Sequence, residues 1–168
     1  MELEVINERH DLESFSCGIS AIDRYLKVDA LSDCKNLLSK TYVVTKDRKI
    51  VAFCTLILHS LKDGEKEFFI DKNRCPQQRV PALLIGQLAV DEQHKGKGIG
   101  ASLIQKMINN ALAITNYANF PVIIVDAHSE NLVSYYQSKG FKPFKDKGLR
   151  LFLPMSEIIK TFNKIKAN

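Results

Sequence analysis

The stretch that decides the fold reads IGQLAVDEQHKGKGIG and covers residues 85–100. It starts with an apolar run that predicts a buried strand, continues through a glycine-rich turn, and ends where helical periodicity begins. Gly96, Gly98 and Gly100 stand at alternate positions, where the missing Cβ lets the backbone turn successive N–H groups toward one anion. The helix N-terminus adds unpaired N–H groups and a positive dipole end. The sequence therefore predicts a phosphate-binding turn.

Other phosphate-binding loops fit this turn less well. A Walker loop requires a glycine, four residues and then Gly-Lys-Ser/Thr, a spacing that no glycine of the stretch provides. A dinucleotide fingerprint requires G-x-G-x-x-G, whereas the spacing here is G-x-G-x-G. His94, Lys95 and Lys97 stand where they can add positive charge. A turn that binds no ligand stays open as an alternative, although three glycines would destabilise the start of the helix without any gain in binding.

The length of 168 residues is that of one domain, and we expect a single domain over residues 1–168. With 45% hydrophobic and 26% charged residues, the composition is typical of a globular protein. No apolar run is long enough to span a membrane, and the first residues lack the segments of a secretory signal. We therefore expect a cytoplasmic protein that does not engage a membrane.

The four cysteines, Cys17, Cys34, Cys54 and Cys75, are widely spaced and include no C-x-x-C pair. This spacing argues against a zinc site and predicts free thiols, most of them buried. Two disulfides would fit an exported protein, and nothing in the sequence indicates export.

The net charge of +5 is unevenly distributed. Residues 139–168 carry eight basic and two acidic side chains, a surplus of +6, which leaves the rest of the chain at −1. Two interpretations stay open: a solvated tail, or a surface that attracts a polyanion such as RNA.

The rest of the chain alternates between strand and helix patterns. We predict strands at 3–6, 41–45, 50–58, 82–90, 122–127, 141–144 and 149–153, with the strand at 82–90 buried on both faces. We predict helices at 18–34, 98–116 and 129–139, the first with a Ser20/Asp23 capping box and the last capped by Ser129, and a surface excursion at 62–80. This order predicts an α/β fold, a single domain with a central mixed, twisted β-sheet flanked by helices.

Two motifs resemble those of the GNAT N-acetyltransferase superfamily. The first is Lys95-Gly-Lys-Gly98-Ile-Gly100, which is similar to the family pattern of a basic residue or glutamine followed by x-x-G-x-G/A. The second, YYQSKGF at residues 135–141, is similar to the family's F-Y-x-x-x-G-F ending. The motifs stand in the family's order, so the resemblance implies a GNAT-like acyl-CoA N-acyltransferase fold.

The resemblance also implies a cosubstrate, acetyl-CoA, and no metal. The pantetheine arm would pair with the strand, and the pyrophosphate would bind the turn; Ser129 stands where many members carry an asparagine that contacts the arm. The implied binding residues are Leu88, Ala89, Val90, Lys95, Gly96, Lys97, Gly98, Ile99, Gly100, Ala101 and Ser129.

The implied catalytic residue is Tyr136, whose phenol would protonate the departing thiolate as a general acid. Tyr135 points about 100° away on a helix and is expected to belong to the core. Asp91, Glu92 and His128 are the candidates for a general base, and the sequence does not choose among them.

A narrower resemblance links the chain to toxin-type acetyltransferases that acetylate aminoacyl-tRNA and block translation. It rests on FSCG at 15–18, IDRYL at 22–26, GQLAVD at 86–91 and LRLFLP at 149–154, although Gln87 replaces the arginine of many such toxins. The toxin-type resemblance would imply an antitoxin partner. The resemblance to the wider family would imply a homodimer.

The sequence leaves four functions open. The leading expectation is an acetyl-CoA-dependent N-acetyltransferase that moves an acetyl group directly to a primary amine of unknown identity, such as a small molecule. The toxin-type acetyltransferase of aminoacyl-tRNA is the first alternative. A non-catalytic acyl-CoA-binding module is the second alternative, and a basic RNA-binding protein with a purely structural turn is the third.

Overall fold

The computed structural model describes residues 2–70, 79–145 and 148–166. Within this part of the chain, one seven-stranded sheet has the strand order β1-β2-β3-β4-β5-β7-β6. The strands are β1 (Glu2–Val5), β2 (Lys40–Lys46), β3 (Lys49–Ser60), β4 (Pro81–Val90), β5 (Val122–Asp126), β6 (Lys142–Pro143) and β7 (Arg150–Pro154).

Helices flank the sheet. They are α1 (Ser20–Arg24), α2 (Ala30–Lys35), α3 (Ile99–Ile114), α4 (Glu130–Gln137) and α5 (Met155–Lys166), with a π-helical segment, Tyr25–Asp29, between α1 and α2. Two 3₁₀ turns cover Lys66–Phe68 and Glu92–His94. The predicted α/β fold, a mixed sheet flanked by helices, is confirmed.

The strand pairing explains why the sheet is mixed. The pairs β1–β2, β2–β3, β5–β7 and β6–β7 are antiparallel. In contrast, β4 leads to β5 through α3, the crossover connection that parallel strands need. The turn between β2 and β3 holds Asp47 and Arg48 at φ values of 53° and 67°, a mirror-image turn whose twist matches the hairpin.

The described residues group into two compact units. The first draws on Met1–Ile57 and Ile85–Met107, and its core includes Phe15, Leu26 and Phe53, all fully buried. The rings of Phe15 and Phe53 meet edge to face with centroids 5.4 Å apart, a favourable aromatic geometry.

The second unit draws on Leu58–Leu84 and Ile108–Asn168. Apolar residues from β5 and β7 pack with Phe144 and with the segment that follows β3. This core holds Val122, Ile124 and Phe152 in place, so the carboxyl end of β5 has a fixed support.

The capping box predicted for the first helix is wrong. The N-cap of α1 is Ile19, and it makes no side-chain cap hydrogen bond. The carboxylate of Asp23 instead accepts from Cys17 N at 2.8 Å and from Ser16 Oγ at 3.1 Å. The acid therefore holds the loop before the helix, because Gly18, at φ +80°, turns that loop back toward it.

Three further expectations need correction. No helix is predicted after residue 153, yet α5 follows β7 and buries Met155 and Ile158. The excursion at 62–80 is not wholly superficial, since Glu65 is only 2% exposed; residues 71–78 of it, with Cys75, lie outside the described residues. In β4 both faces are buried mainly at 82–85, and residues 86–88 are half-buried.

Candidate active site

The glycine-rich turn begins where β4 ends. Asp91 N donates to Val51 O at 2.9 Å, which carries the pairing with β3 one residue past the strand. The side chain of Asp91 then caps the 3₁₀ turn, because its Oδ1 accepts from Gln93 N at 3.0 Å. The chain thus leaves the sheet in a fixed direction before it reaches the glycines.

Two of the three glycines have the backbone conformation that the motif predicts. Gly96 and Gly98 lie at φ +75° and +77°, and a Cβ added at either would have no atom within 4 Å. Gly100 lies inside α3 instead, so the expectation for all three is wrong at this position. An open, left-handed turn at a helix start is a cradle that fits a phosphate group.

Both lysines of the turn bind backbone carbonyls. Lys95 Nζ donates to Cys17 O at 2.8 Å, and Lys97 Nζ donates to Gln93 O at 2.9 Å. Their charges stay beside the turn, but each ammonium already has an acceptor. His94 is held as well, with Nδ1 3.2 Å from Asp91 Oδ1.

A loop before α1 supports the turn from one side. Ser16 N donates to Asp91 Oδ2 at 3.2 Å, and Glu92 N donates to Ser16 O at 2.9 Å. Gly18 lies at φ +80°, a left-handed conformation that favours glycine, and the carboxylate of the exposed Glu92 lies beside it. The sequence reasoning missed this support; its one signal was the FSCG motif at residues 15–18.

The geometry of Asp91 makes it a structural acid rather than a free base. Burial raises the pKa of its carboxyl, but hydrogen bonds from His94, Ser16 N and Gln93 N together hold the pKa below its ordinary value. Glu92 and His128, the other two base candidates, are exposed.

The strand residues expected to pair with a pantetheine arm differ in burial. Ala89 is buried, whereas Leu88 and Val90 are half-buried. Gln87 Oε1 is buried and, within the described residues, has no hydrogen-bond partner. A buried acceptor without a donor is unfavourable, so the Gln87 side-chain oxygen can accept a hydrogen bond from a group that binds along this part of β4.

Tyr136 lies on the inward face of α4 and is 4% exposed. Its ring packs edge to face on Phe141, with centroids 5.7 Å apart. Tyr135 is the less buried of the two, with Lys139 Nζ 5.5 Å from its ring centroid, so its assignment to the core is wrong. Ser129 is the N-cap residue as predicted, yet its side chain makes no cap hydrogen bond.

The described thiols are free, as predicted. Cys17 and Cys54 are buried and Cys34 is partly so. Burial raises the pKa of Cys17 to about 11 and that of Cys54 further, so neither thiol is a nucleophile near neutral pH.

Two features are absent from the described residues. None of their helices is both long and apolar enough to cross a membrane. No group of three or more His, Cys, Asp or Glu side chains among them could hold a metal ion.

The family is settled by a domain model. The model of the acetyltransferase (GNAT) domain matches residues 38–143, more than half of the chain and the whole of the glycine-rich turn. The chain belongs to this family. It is therefore an acetyltransferase, and its acyl donor is acetyl-CoA, as the sequence resemblance implied.

Similar proteins include bacterial toxins. The probable toxin TacT of Sinorhizobium fredii is 27% identical over 161 residues, covering 89% of this chain and 88% of its own. A tRNA-acetylating toxin of Mycobacterium tuberculosis is 26% identical over 152 residues, covering 90% of each chain.

Solved structures of the toxin AtaT have the same fold. AtaT complexed with acetyl-methionyl-tRNAfMet superposes with a TM-score of 0.83 at 23% identity, over 96% of this chain and 98% of that one. An AtaT mutant bound to the C-terminus of the antitoxin AtaR and acetyl-CoA gives a TM-score of 0.79 at 23% identity, over 96% and 97%.

Proposed function

We propose that this protein is a toxin-type acetyltransferase that transfers an acetyl group to the amine of aminoacyl-tRNA and so blocks translation. The observation that carries the proposal is the similarity, over about nine-tenths of both chains, to a tRNA-acetylating toxin. This replaces the leading expectation from the sequence, a small primary amine, with its first alternative.

The turn supports the binding of acetyl-CoA at residues 95–101. We propose that the N–H groups of this turn receive the pyrophosphate in the open space beside Gly96 and Gly98. We propose that the pantetheine arm pairs with the half-buried part of β4, at Leu88 and Val90. The family resemblance assigns Ser129, the N-cap residue of α4, to the same arm.

Acetyl-CoA supplies an acetyl group activated as a thioester. The protein's own contribution is to hold the amine in line, to keep water out, and to provide a proton. We assign the proton to the hydroxyl of Tyr136. A phenol can donate a proton to the leaving thiolate, and a non-catalytic binding module would have no need of such a donor.

The basic carboxyl-terminal region supports a polyanionic substrate. Within α5, Lys160, Lys164 and Lys166 are exposed, and Lys145 is exposed before β7. Clustered cations attract the phosphates of RNA and release counterions on binding. Because aminoacyl-tRNA is present in the cytoplasm, this substrate would also imply a cytoplasmic protein.

Two partners belong to the proposal. Because AtaT binds the antitoxin AtaR, we propose an antitoxin partner for this chain. The family resemblance is the reason to propose a homodimer. Light scattering of the purified protein tests the homodimer, with twice the mass of 19.0 kDa as the expected result. A single 19.0 kDa species would remove the dimer from the proposal.

The salt dependence of tRNA binding tests the substrate. Reversal of Lys145, Lys160 and Lys164 to glutamate should weaken binding of charged tRNA and make its dependence on salt less steep, by roughly 0.7–0.9 in slope for each lost phosphate contact. Acetyl-CoA affinity, measured on the same protein, is the control and should hardly change. An unchanged slope would contradict a tRNA substrate held by this region.

A further inference from the structure

A cluster of four polar side chains joins three distant segments of the chain. Its centre is Arg150, the first residue of β7, whose side chain is 16% exposed. Its Nε lies 3.0 Å from Glu65 Oε1, its Nη1 donates to Asp126 Oδ2 at 3.3 Å, and its Nη2 donates to His59 Nε2 at 2.9 Å. One guanidinium therefore links the end of β3, the segment after it, and the end of β5.

The carboxylate of Glu65 depends on this guanidinium. The side chain is 2% exposed, and its second oxygen, Oε2, accepts from Lys62 N at 2.9 Å. Burial of a charge is unfavourable unless the charge is paired, and Arg150 is the cation that pairs with Glu65 in this cluster.

His59 completes the cluster as a neutral acceptor. Burial, followed by the charge of Arg150, lowers the pKa of its imidazole, so Nε2 has a lone pair for the guanidinium. The hydrogen bond then requires the proton on Nδ1. Because that lone pair is engaged, His59 is not available as a general base at this nitrogen.

Aromatic packing holds the same segment at a second point. Phe69 meets Phe152 edge to face with centroids 5.4 Å apart, and Phe68 meets Phe144 at 5.6 Å. Phe68 is nevertheless 49% exposed. Segment 61–70 is thus fixed in position while it presents an aromatic side chain outward.

The position of the cluster indicates its purpose. Asp126 is the last residue of β5, and in open α/β sheets ligands bind outside the carboxyl ends of strands. The chain continues from there to α4, which carries Tyr136. We propose that Arg150 is a positioning residue that holds segment 61–70 as part of the surface on which the amine acceptor binds. The proposal rests on the proposed function and names the acceptor side of the same site.

A double-mutant cycle tests the pair. Arg150→Met leaves a buried carboxylate without its cation and should lower Tm by about 6–20 °C, the usual result of breaking a buried pair from one side. Arg150→Met combined with Glu65→Leu removes both charges and should recover most of that loss. The matched control is Arg24→Met, which removes an exposed arginine from a surface ion pair and should be nearly silent.

Kinetics separate positioning from mere stability. At temperatures where Arg150→Met is folded, KM for charged tRNA should rise by about tenfold or more, the effect of misplacing a binding surface. The Kd of acetyl-CoA should stay within about twofold, because none of the three partners of Arg150 is a residue proposed to bind acetyl-CoA. Arg150→Lys, which keeps the charge but not the forked geometry, should recover Tm better than KM.

Two results would overturn the proposal. One is a folded Arg150→Met variant with wild-type KM for the acceptor. The other is a fall in acetyl-CoA affinity equal to the loss of acceptor binding, which would show a general collapse of the site.

The proposed substrate can fail separately from this proposal. It fails if the wild-type protein does not acetylate charged tRNA. In that case KM is measured with whichever amine the wild-type protein acetylates. If no such amine is found, amide hydrogen exchange of residues 61–70 is compared between Arg150→Met and the wild type. Exchange that is no faster in the variant than in the wild type would also overturn the proposal.

Discussion

Lys95 Nζ lies 2.8 Å from the backbone carbonyl oxygen of Cys17, 78 residues earlier in the chain. The contact ties the glycine-rich turn to the loop that precedes α1. The same loop also binds Asp91 and Glu92 through the backbone of Ser16. The lysine of the motif therefore has a structural partner in addition to its proposed place beside the pyrophosphate.

This contact predicts unequal effects for the two lysines of the turn. Lys95→Met and Lys97→Met each remove one charge, but only the first releases the loop at Cys17. Lys95→Met should lower Tm by about 2–4 °C, as expected for a loss of about 1 kcal/mol, and should weaken acetyl-CoA several-fold more than Lys97→Met. Calorimetry and thermal unfolding measure both quantities. Equal effects of the two variants would mean that charge alone matters.

The open space at Gly98 predicts a selective loss of cosubstrate binding. Gly98→Glu places a Cβ and a carboxylate where we propose the pyrophosphate, so acetyl-CoA binding should be abolished. The fold should survive, since no atom lies within 4 Å of that Cβ and the left-handed φ costs only about 1–2 kcal/mol. Gly148→Glu is the matched control, because Gly148 is also left-handed, at φ +59°, and open. Normal acetyl-CoA affinity in folded Gly98→Glu would refute the site.

Tyr136 is predicted to act on the rate and not on affinity. Tyr136→Phe keeps the ring that packs on Phe141, so folding should be retained. If the hydroxyl protonates the leaving thiolate, kcat should fall by roughly two to four powers of ten, while acetyl-CoA affinity changes little. Tyr135→Phe is the control and should be nearly silent. Wild-type kcat in Tyr136→Phe, under conditions where chemistry limits the rate, would rule out this role.

Asp91 predicts a specific dependence of stability on pH. Its pKa is lower in the folded chain than its ordinary value, so the carboxylate stabilises the fold above that value and loses this contribution as the pH falls through the lowered pKa. Asp91→Asn should cost about 1–3 kcal/mol at pH 7, because a buried network of donors loses an acceptor. The difference from wild type should shrink below roughly pH 4. Denaturant unfolding across this range measures it, and a difference that persists in acid would contradict the assignment.

The elements that the sequence predicted best are those built from neighbouring residues. Gly96 and Gly98 take their conformation from their own missing Cβ, and β5 is a run of β-branched residues that any sheet would bury. Local patterns failed where the partner is remote. No residue near Glu65 in the sequence indicates that it would form an ion pair with Arg150. No residue near Lys95 indicates that its ammonium would donate to the carbonyl of Cys17.

Two further misses have physical causes. No helix was predicted after residue 153, although Met155, Ile158 and Phe162 recur at helical spacing in what is α5. Gly100 was expected to turn like the glycines before it, but a glycine in a helix can also take the helical conformation that its neighbours impose.

The most direct test of the account is the chemical identity of the product. The purified protein is incubated with radiolabelled acetyl-CoA and either charged tRNA, the same tRNA without its amino acid, or the free amino acid. Mild alkaline hydrolysis of the charged tRNA then releases the amino acid for mass spectrometry. We predict label on charged tRNA alone, recovered as the N-acetylated amino acid. Label on the free amino acid instead, or on both tRNAs equally, would contradict the proposal that this enzyme acetylates the amine of aminoacyl-tRNA.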